Sequence, residues 1–280
     1  MKVGVIGGSG WLGGAIVDAI LGAEIALPEH LTVSYRSAPP VSRVGVATTK
    51  DNQDLVDRSD VVILSVRPAD WGALRISAAG KLVISVMAGV TIAQMAERLA
   101  TPRIIRSLPN AAAEVRKSYT PWVASKTATA DDRQAARRIF AACGAEDEVK
   151  TEADIDYLTG LSGSGPAFPA LLAASMMDDA VARGVSPDIA RRAVNAVIVG
   201  AGRLLEARDA DPRETVGVFL DYRGTTAAAI EAMRSAGFAA SIRDGLGAAL
   251  ERAAELSLSS EPVTAAPPLP QHPAAKSGSD

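Results

Sequence analysis

Residues 1–19 of the chain read MKVGVIGGSGWLGGAIVDA, a short apolar run followed at once by clustered glycines and then by a helical pattern. The run at 2–6 predicts a buried parallel strand. Gly8, Gly10 and Gly13 have the G-x-G-x-x-G spacing that lets backbone N–H groups approach a pyrophosphate at a helix N-terminus. In this context the motif predicts a dinucleotide-binding unit, with a simple glycine turn between a strand and a helix as the alternative.

The end of the second predicted strand indicates which dinucleotide is bound. Residues 32–35 (TVSY) are followed by Arg36 and Ser37, about 20 residues beyond the glycine loop. An acidic residue there would bind the ribose 2′-hydroxyl of NAD, whereas an arginine beside a hydroxyl suits the 2′-phosphate of NADP. We therefore expect NADPH as the cofactor, with NADH possible. The alternative is an arginine that only begins the loop at Ala38-Pro39-Pro40.

Further strand and helix patterns alternate along the first half of the chain. Apolar runs lie at 61–66 (VVILSV), 81–89 (KLVISVMAG) and 103–110 (RIIRSLPN), with a helical pattern at 91–100 and a last strand near 145–150. This alternation predicts an α/β fold with a Rossmann-like, doubly wound parallel sheet. The strands end in polar or small residues, and we expect these ends to form the walls of the cofactor cleft.

Residues 154–258 read almost entirely as helix. Pro166 stands at a predicted first helical position, and the following ALLAASMM is too apolar for a solvated helix face, so it should be buried inside the domain or at a subunit interface. We predict a dinucleotide-binding Rossmann domain at 1–153 and an all-helical domain for substrate binding and dimerisation at 154–260. The Pro-, Ala- and Ser-rich segment 261–280 is predicted to be a disordered tail.

The composition favours small-molecule chemistry. The chain has 280 residues, a formal charge of −3 and 48% hydrophobic residues, which gives no basic surface for nucleic acid and enough apolar residues for a large core. Cys143 is its single cysteine, so we expect no intrachain disulfide and no metal site, and we predict a buried thiol without function. No apolar run reaches the roughly 18 residues of a membrane span. We expect a cytoplasmic protein that is neither exported nor membrane-spanning.

Several stretches together carry a resemblance to a known family. They are IGGSGWLG (6–13), SDVVILSVRP (59–68), ISVMAGVT (84–91), RIIRSLPN (103–110), LSGSGPAF (161–168) and GTTAAAI (224–230). In this order the chain resembles the pyrroline-5-carboxylate reductases. The resemblance implies an N-terminal Rossmann domain, a helical C-terminal domain that forms a homodimer or a larger homo-oligomer, and hydride transfer from NAD(P)H to a cyclic imine.

The resemblance also implies which residues form the site. Thr226 takes the position of the hydroxyl that hydrogen-bonds the ring nitrogen and is the expected catalytic residue, although it could equally be a helix N-cap. Asp221, Arg223, Gly224 and Thr225 take the positions of the substrate-binding segment. The expected cofactor contacts are Ile6, Gly7, Gly8, Ser9, Gly10, Trp11, Leu12, Arg36, Ser37, Asn52, Ser65, Val66, Arg67, Pro68, Val86, Met87 and Ala88.

The substrate segment departs from the family pattern. The family reads Ser-Pro-Gly-Gly before the paired threonines, where this chain has Asp221-Tyr222-Arg223-Gly224. Asp221 would repel a substrate carboxylate, whereas Arg223 could bind one if its side chain turns inward, and from Asp221 we expect weak activity on pyrroline-5-carboxylate. Three hypotheses stay open: reduction of pyrroline-5-carboxylate, reduction of another imine or carbonyl, and a non-catalytic NAD(P)-binding sensor or scaffold.

Overall fold

The computed structural model describes residues 1–208 and 211–258 of the chain. The strands of the described residues are β1 Val3–Ile6, β2 Leu31–Ser34, β3 Ala47–Thr49, β4 Val61–Leu64, β5 Leu82–Ser85, β6 Ile104–Ser107, β7 Ser118–Ala124 and β8 Gly144–Glu148. The helices are α1 Trp11–Gly22, α2 Asn52–Asp57, α3 Pro68–Trp71, α4 Ile92–Leu99, α5 Ala130–Cys143, α6 Glu152–Leu158, α7 Ala167–Ala182, α8 Pro187–Arg208, α9 Pro212–Asp221, α10 Thr225–Ser235 and α11 Phe238–Leu258. A π-helical turn, Thr159–Gly163, follows α6.

The strands form one sheet in the order β3-β2-β1-β4-β5-β6-β7-β8. Its pairings are parallel, except that β6 and β7 run antiparallel. Alternate residues of β4 face opposite sides: Val61 and Ile63 join a core with α1 and α5, whereas Val62 and Leu64 join a core with α2 and α4. Helices therefore cover both faces, and the predicted doubly wound fold is confirmed.

Two strands of this sheet were not predicted. β3 has three residues and is largely exposed at the sheet edge, so it lacks both the length and the apolar alternation that indicate a strand. β7 contains Pro121, a residue that normally argues against a strand because it cannot donate a backbone hydrogen bond. Its carbonyl oxygen still accepts from the backbone N–H of Leu108 at 3.0 Å, just beyond the paired residues of β6. The proline is tolerated where this ladder ends.

The helical part leaves large apolar side chains uncovered. Helix α7 packs against α8, yet it has no buried residue. Exposed side chains of these two helices include Leu171, Met176, Val181, Ile189, Val197, Val199 and Leu204. The apolar stretch of α7 is therefore not buried by the described part of its own chain, and of the two predicted locations only a subunit interface stays as a prediction. The predicted disordered tail at 261–280 lies outside the described residues.

Helix α6 is tied to the sheet by a buried arginine. The Arg106 side chain on β6 is 1% exposed and donates to Glu152 at 3.0 Å and to Asp156 at 2.5 Å. Glu152 also accepts from the backbone N–H of Ile92, the first residue of α4, at 2.9 Å. The Arg106 Nε is buried without a hydrogen-bond partner among the described residues. This group of charges connects β6, α4 and α6.

The last strand ends at Glu148, so the predicted domain boundary at 153/154 is compatible with the structure and stays a prediction.

Cys143 ends α5 and lies in the core, as predicted. Its side chain is 1% exposed, and burial raises the pKa of the thiol to about 11. Such a thiol is protonated at neutral pH and is a poor nucleophile. No helix in the described part of the chain combines the length and apolarity needed to cross a membrane.

Candidate cofactor cleft and substrate segment

A cleft of about 440 Å³ opens at the carboxyl ends of β1, β2 and β4. In the sheet β2 and β4 lie on either side of β1, which is where the strand order reverses and where doubly wound folds bind ligands. The cleft brings together the following predicted cofactor residues: Ile6, Gly7, Ser9, Gly10, Arg36, Asn52, Ser65, Val66 and Arg67. Residues from widely separated parts of the chain thus form one site.

The backbone of the glycine loop packs so closely that a side chain does not fit at Gly7 or Gly13. Gly7 has a φ of +82°, and a Cβ built there would lie 2.4 Å from the carbonyl oxygen of Ser65. A Cβ on Gly13 would lie 2.6 Å from the carbonyl oxygen of Gly7. Gly10 precedes α1 and caps it with no side chain, so the first N–H groups of a twelve-residue helix face the cleft region. A loop of this form fits a pyrophosphate.

The other end of the cleft is lined by charged and polar side chains. The Ser34 hydroxyl donates to the Asn52 Oδ1 at 2.6 Å, which orients the amide at the start of α2. Arg36 Nη1 donates to Asp70 Oδ1 at 2.8 Å, and Arg67 Nε donates to Asp70 Oδ2 at 2.8 Å. Hydrogen bonds from Arg67 and then from Arg36 hold the pKa of Asp70 below its usual value. Asp70 is therefore a carboxylate at neutral pH.

Some lining residues were missed in the sequence, namely Ser34, Tyr35, Lys50, Asp70, Ala73 and Leu74. Ser34 and Tyr35 stand at the carboxyl end of β2, where the fold places ligands, so their position was a usable signal. Lys50 follows the unpredicted β3, and Asp70 lies in the four-residue helix α3. The sequence gives no comparable signal for these two.

Other predicted cofactor residues do not line the described cleft: Gly8, Trp11, Leu12, Ser37, Pro68, Val86, Met87 and Ala88. Val86 and Met87 are 6% and 2% exposed, with side chains in the two cores, so a contact from them would have to come from the backbone. The Trp11 indole is 48% exposed, and its Nε1 donates to Glu114 at 3.0 Å. The roles of these residues stay predictions.

The predicted substrate segment forms the turn between α9 and α10. Asp221 ends α9, and Arg223 has a φ of +51°, a left-handed backbone conformation that favours glycine. Gly224 precedes α10 and leaves its first turn without a side-chain cap. Thr225 and Thr226 are exposed, and Thr226 is not the N-cap, because Gly224 holds that position.

The structure does not bring this turn to the cofactor cleft of the same chain. Helix α10 packs against α9 and α11, and none of residues 221–226 lines the cleft. By contrast, LSGSGPAF does meet RIIRSLPN: the Asn110 Nδ2 donates to the Ser162 carbonyl at 2.9 Å, and Gly163 lies close to Leu108. Within one chain these two motifs are therefore in contact, whereas the turn between α9 and α10 that precedes Thr226 lies at the surface.

Comparison with known proteins shows which families and proteins the chain is similar to. Residues 152–256 match the family described as pyrroline-5-carboxylate reductase dimerisation, and residues 2–89 match the family described as NADP oxidoreductase, coenzyme F420-dependent. A pyrroline-5-carboxylate reductase of Methanosarcina acetivorans is 32% identical over 91% of this chain and 97% of its own. One from Synechocystis is 30% identical over 91% of this chain and 98% of its own.

Solved structures agree with these relationships. The structure of a pyrroline-5-carboxylate reductase from Coxiella burnetii has a TM-score of 0.83 at 28% identity and covers 91% of this chain and 98% of its own. A Plasmodium falciparum pyrroline carboxylate reductase has a TM-score of 0.79 at 24% identity, covers 92% of this chain and 98% of its own, and shares the fold. The resemblance read from the motifs is confirmed: the chain belongs to the pyrroline-5-carboxylate reductase family.

Proposed function

We propose that the protein reduces the C=N bond of pyrroline-5-carboxylate with NADPH. The cleft at the ends of β1, β2 and β4 is the observation that carries this proposal, because its glycine loop and its arginines fit the two phosphate-bearing parts of a dinucleotide. The NADP oxidoreductase match over 2–89 supports the same cofactor. When bound, NADPH supplies the hydride for the imine carbon.

The residues of the cleft would bind and orient rather than transfer protons. The backbone around Gly7 and Gly10 would hold the pyrophosphate, Asn52 the ribose and Arg36 the 2′-phosphate. The chain contains only His30 and His272. His30 does not line the cleft, and His272 lies outside the described residues. A protonated imine is already electrophilic at carbon, so positioning and exclusion of water carry most of the catalysis.

The turn between α9 and α10 would bind the imine. The uncapped first turn of α10 presents N–H groups that suit a carboxylate, and the Thr226 hydroxyl would hydrogen-bond the ring nitrogen. Asp221 and Arg223 carry opposite charges on this turn, so Arg223 would offset the repulsion that Asp221 alone causes. This balance makes pyrroline-5-carboxylate the first candidate substrate, with an uncharged cyclic imine as the second because of Asp221.

The complete site would form between two copies of the chain. Thr226 is exposed and away from its own cleft, while α7 and α8 expose large apolar side chains such as Leu171 and Val199. A homodimer through these helices would cover that surface and bring one copy's threonine turn to the other copy's cleft. The match to a dimerisation family over 152–256 supports this arrangement. The single cysteine fits a reducing compartment, and we propose the cytoplasm.

The activity is tested by following NADPH oxidation with three substrates: pyrroline-5-carboxylate, pyrroline-2-carboxylate and an uncharged pyrroline. Rapid oxidation with pyrroline-5-carboxylate supports the proposal. Faster oxidation with the uncharged pyrroline favours the second candidate. Binding of NADPH without oxidation by any of them would contradict the reductase assignment and favour a sensor.

The shared site is tested by mixing two variants of low activity. Gly13→Ala removes the cofactor loop geometry, and Thr226→Ala removes the hydroxyl. Unfolding and refolding them together at equal amounts makes about half of the dimers mixed, and each mixed dimer contains one intact composite site. We expect recovery of roughly a quarter of the unaltered activity. If each chain forms its site alone, the mixture shows only the mean of the two variants' own activities. Melting curves check that both variants fold.

A further inference from the structure

One carboxylate holds two arginines at the adenosine end of the cleft. Arg36 follows β2, and Asp70 lies in α3 after β4. Because β2 and β4 flank β1, the 2.8 Å bond between Arg36 Nη1 and Asp70 Oδ1 crosses the carboxyl edge of the sheet above β1. The pair therefore spans the part of the cleft that a Rossmann fold gives to the adenosine.

Asp70 accepts more hydrogen bonds from Arg67 than from Arg36. Arg67 makes two hydrogen bonds to Asp70, at 2.8 Å from Nε and 3.3 Å from Nη2, whereas Arg36 makes one. The Arg36 side chain is 73% exposed and that of Asp70 is 27% exposed. Arg36 can thus turn toward another anion while Arg67 continues to neutralise the carboxylate.

We propose that Asp70 competes with the 2′-phosphate of the cofactor for Arg36 and so determines how strongly the protein prefers NADPH over NADH. This inference rests on the proposed cofactor. A dinucleotide that carries the phosphate must draw Arg36 away from Asp70. A dinucleotide without the phosphate leaves the pair in place. Asp70 therefore lowers the discrimination that Arg36 alone would give.

The expected change in affinity follows from the solvent exposure of the ion pair between Arg36 and Asp70. An exposed ion pair contributes up to about 1 kcal/mol, which corresponds to a change in Kd of about fivefold. The Asp70→Asn variant keeps the shape of the side chain and one acceptor oxygen but loses the charge. We expect it to tighten binding of a 2′-phosphate by about threefold to fivefold.

The test uses two fragments of the dinucleotides, 2′,5′-ADP and 5′-AMP, with Kd values measured by isothermal titration calorimetry. Asp70→Asn should tighten 2′,5′-ADP and leave 5′-AMP unchanged within about twofold. In an Arg36→Ala background, which itself should weaken 2′,5′-ADP about tenfold, Asp70→Asn should have no effect. Asp54→Asn is the matched control, because Asp54 pairs with Arg58 on α2 and does not line the cleft.

Each outcome of the binding measurements tests either the inference about Asp70 or the proposed cofactor site. Three results overturn the inference and leave the proposed cofactor site in place. They are weaker binding of 2′,5′-ADP to Asp70→Asn, equal tightening of both fragments, and the same tightening in the absence of Arg36. An unchanged Kd in a variant whose melting temperature equals that of the unaltered protein also overturns the inference. Failure of the unaltered protein to bind either fragment would instead remove the proposed cofactor site, and the inference with it.

Discussion

Arg223 keeps a backbone conformation that normally belongs to glycine. At a φ of +51° a residue with a side chain is strained by roughly 1 kcal/mol. Arg223 donates its backbone N–H to the Leu220 carbonyl at 3.1 Å, which continues the helical hydrogen bonding into the turn. Arg223 therefore places a positive charge at a left-handed position of the substrate segment.

Thr226 supplies the first prediction. Thr226→Ala should lower kcat/KM about fivefold to a hundredfold on both charged and uncharged imines, because one hydrogen bond to the ring nitrogen is worth about 1–3 kcal/mol. Steady-state NADPH oxidation measures the loss. Thr226→Ser retains the hydroxyl and should recover most of the activity; equal loss in both variants would rule out a role for the hydroxyl.

A second prediction concerns the charge of Asp221. Asp221→Ser removes a negative charge beside the expected carboxylate and should raise kcat/KM for pyrroline-5-carboxylate by a few-fold relative to an uncharged pyrroline. Arg223→Ala should change that ratio in the opposite direction. A ratio that is the same in all three proteins would mean that neither side chain faces the substrate.

At the scale of elements, the group formed by Arg106, Glu152 and Asp156 joins the sheet to the helical part. Glu152 accepts from Arg106 and from the N–H of Ile92, so the acid at the start of α6 also fixes the start of α4. Helix α4 follows the loop at Val86–Ala88 that is expected to contact the cofactor. The position of α6 and the shape of that loop are therefore linked.

Glu152→Gln tests this link. Breaking a buried ion pair costs about 3–5 kcal/mol, and because the Glu152 side chain is 33% exposed we expect a smaller loss, about 2 kcal/mol, in the free energy of unfolding. Urea unfolding measures it. The exposed pair of Asp54 and Arg58 provides the control, since Asp54→Asn should cost no more than about 0.5 kcal/mol. Equal losses in the two variants would contradict a structural role for Glu152.

The sequence predicted the elements whose patterns are local. Residues 2–6 and 61–66 are continuous apolar runs next to glycine or polar turns, and the structure places strands there at Val3–Ile6 and Val61–Leu64. β7 was missed because Pro121 hides a strand that long-range pairing stabilises. Asp70 was missed for a similar reason: its importance comes from Arg36, which lies 34 positions away in the chain.

At the scale of the whole molecule, the uncovered apolar faces of α7 and α8 predict assembly. Light scattering at micromolar protein should give at least a dimer mass, and the chain truncated to residues 1–260 should give the same mass and activity, because a Pro-rich polar segment has little apolar surface to bury. A monomer mass for the full chain would contradict the dimer. A monomer mass for the truncated chain alone would assign the contact to 261–280.

The hydrogen bond between Trp11 and Glu114 gives the protein an internal optical signal. Trp11 begins α1 at the glycine loop and is 48% exposed, whereas Trp122 is fully buried against Phe140. Trp71, beside Asp70 in α3, would be replaced by Phe to remove its emission. Indole emission depends on the surrounding polarity, so in the Trp71→Phe variant an anion arriving at the start of α1 would alter the fluorescence of Trp11 and leave that of Trp122 as a constant reference. Ligand arrival at the loop can then be timed by stopped-flow mixing, with no attached dye and no turnover.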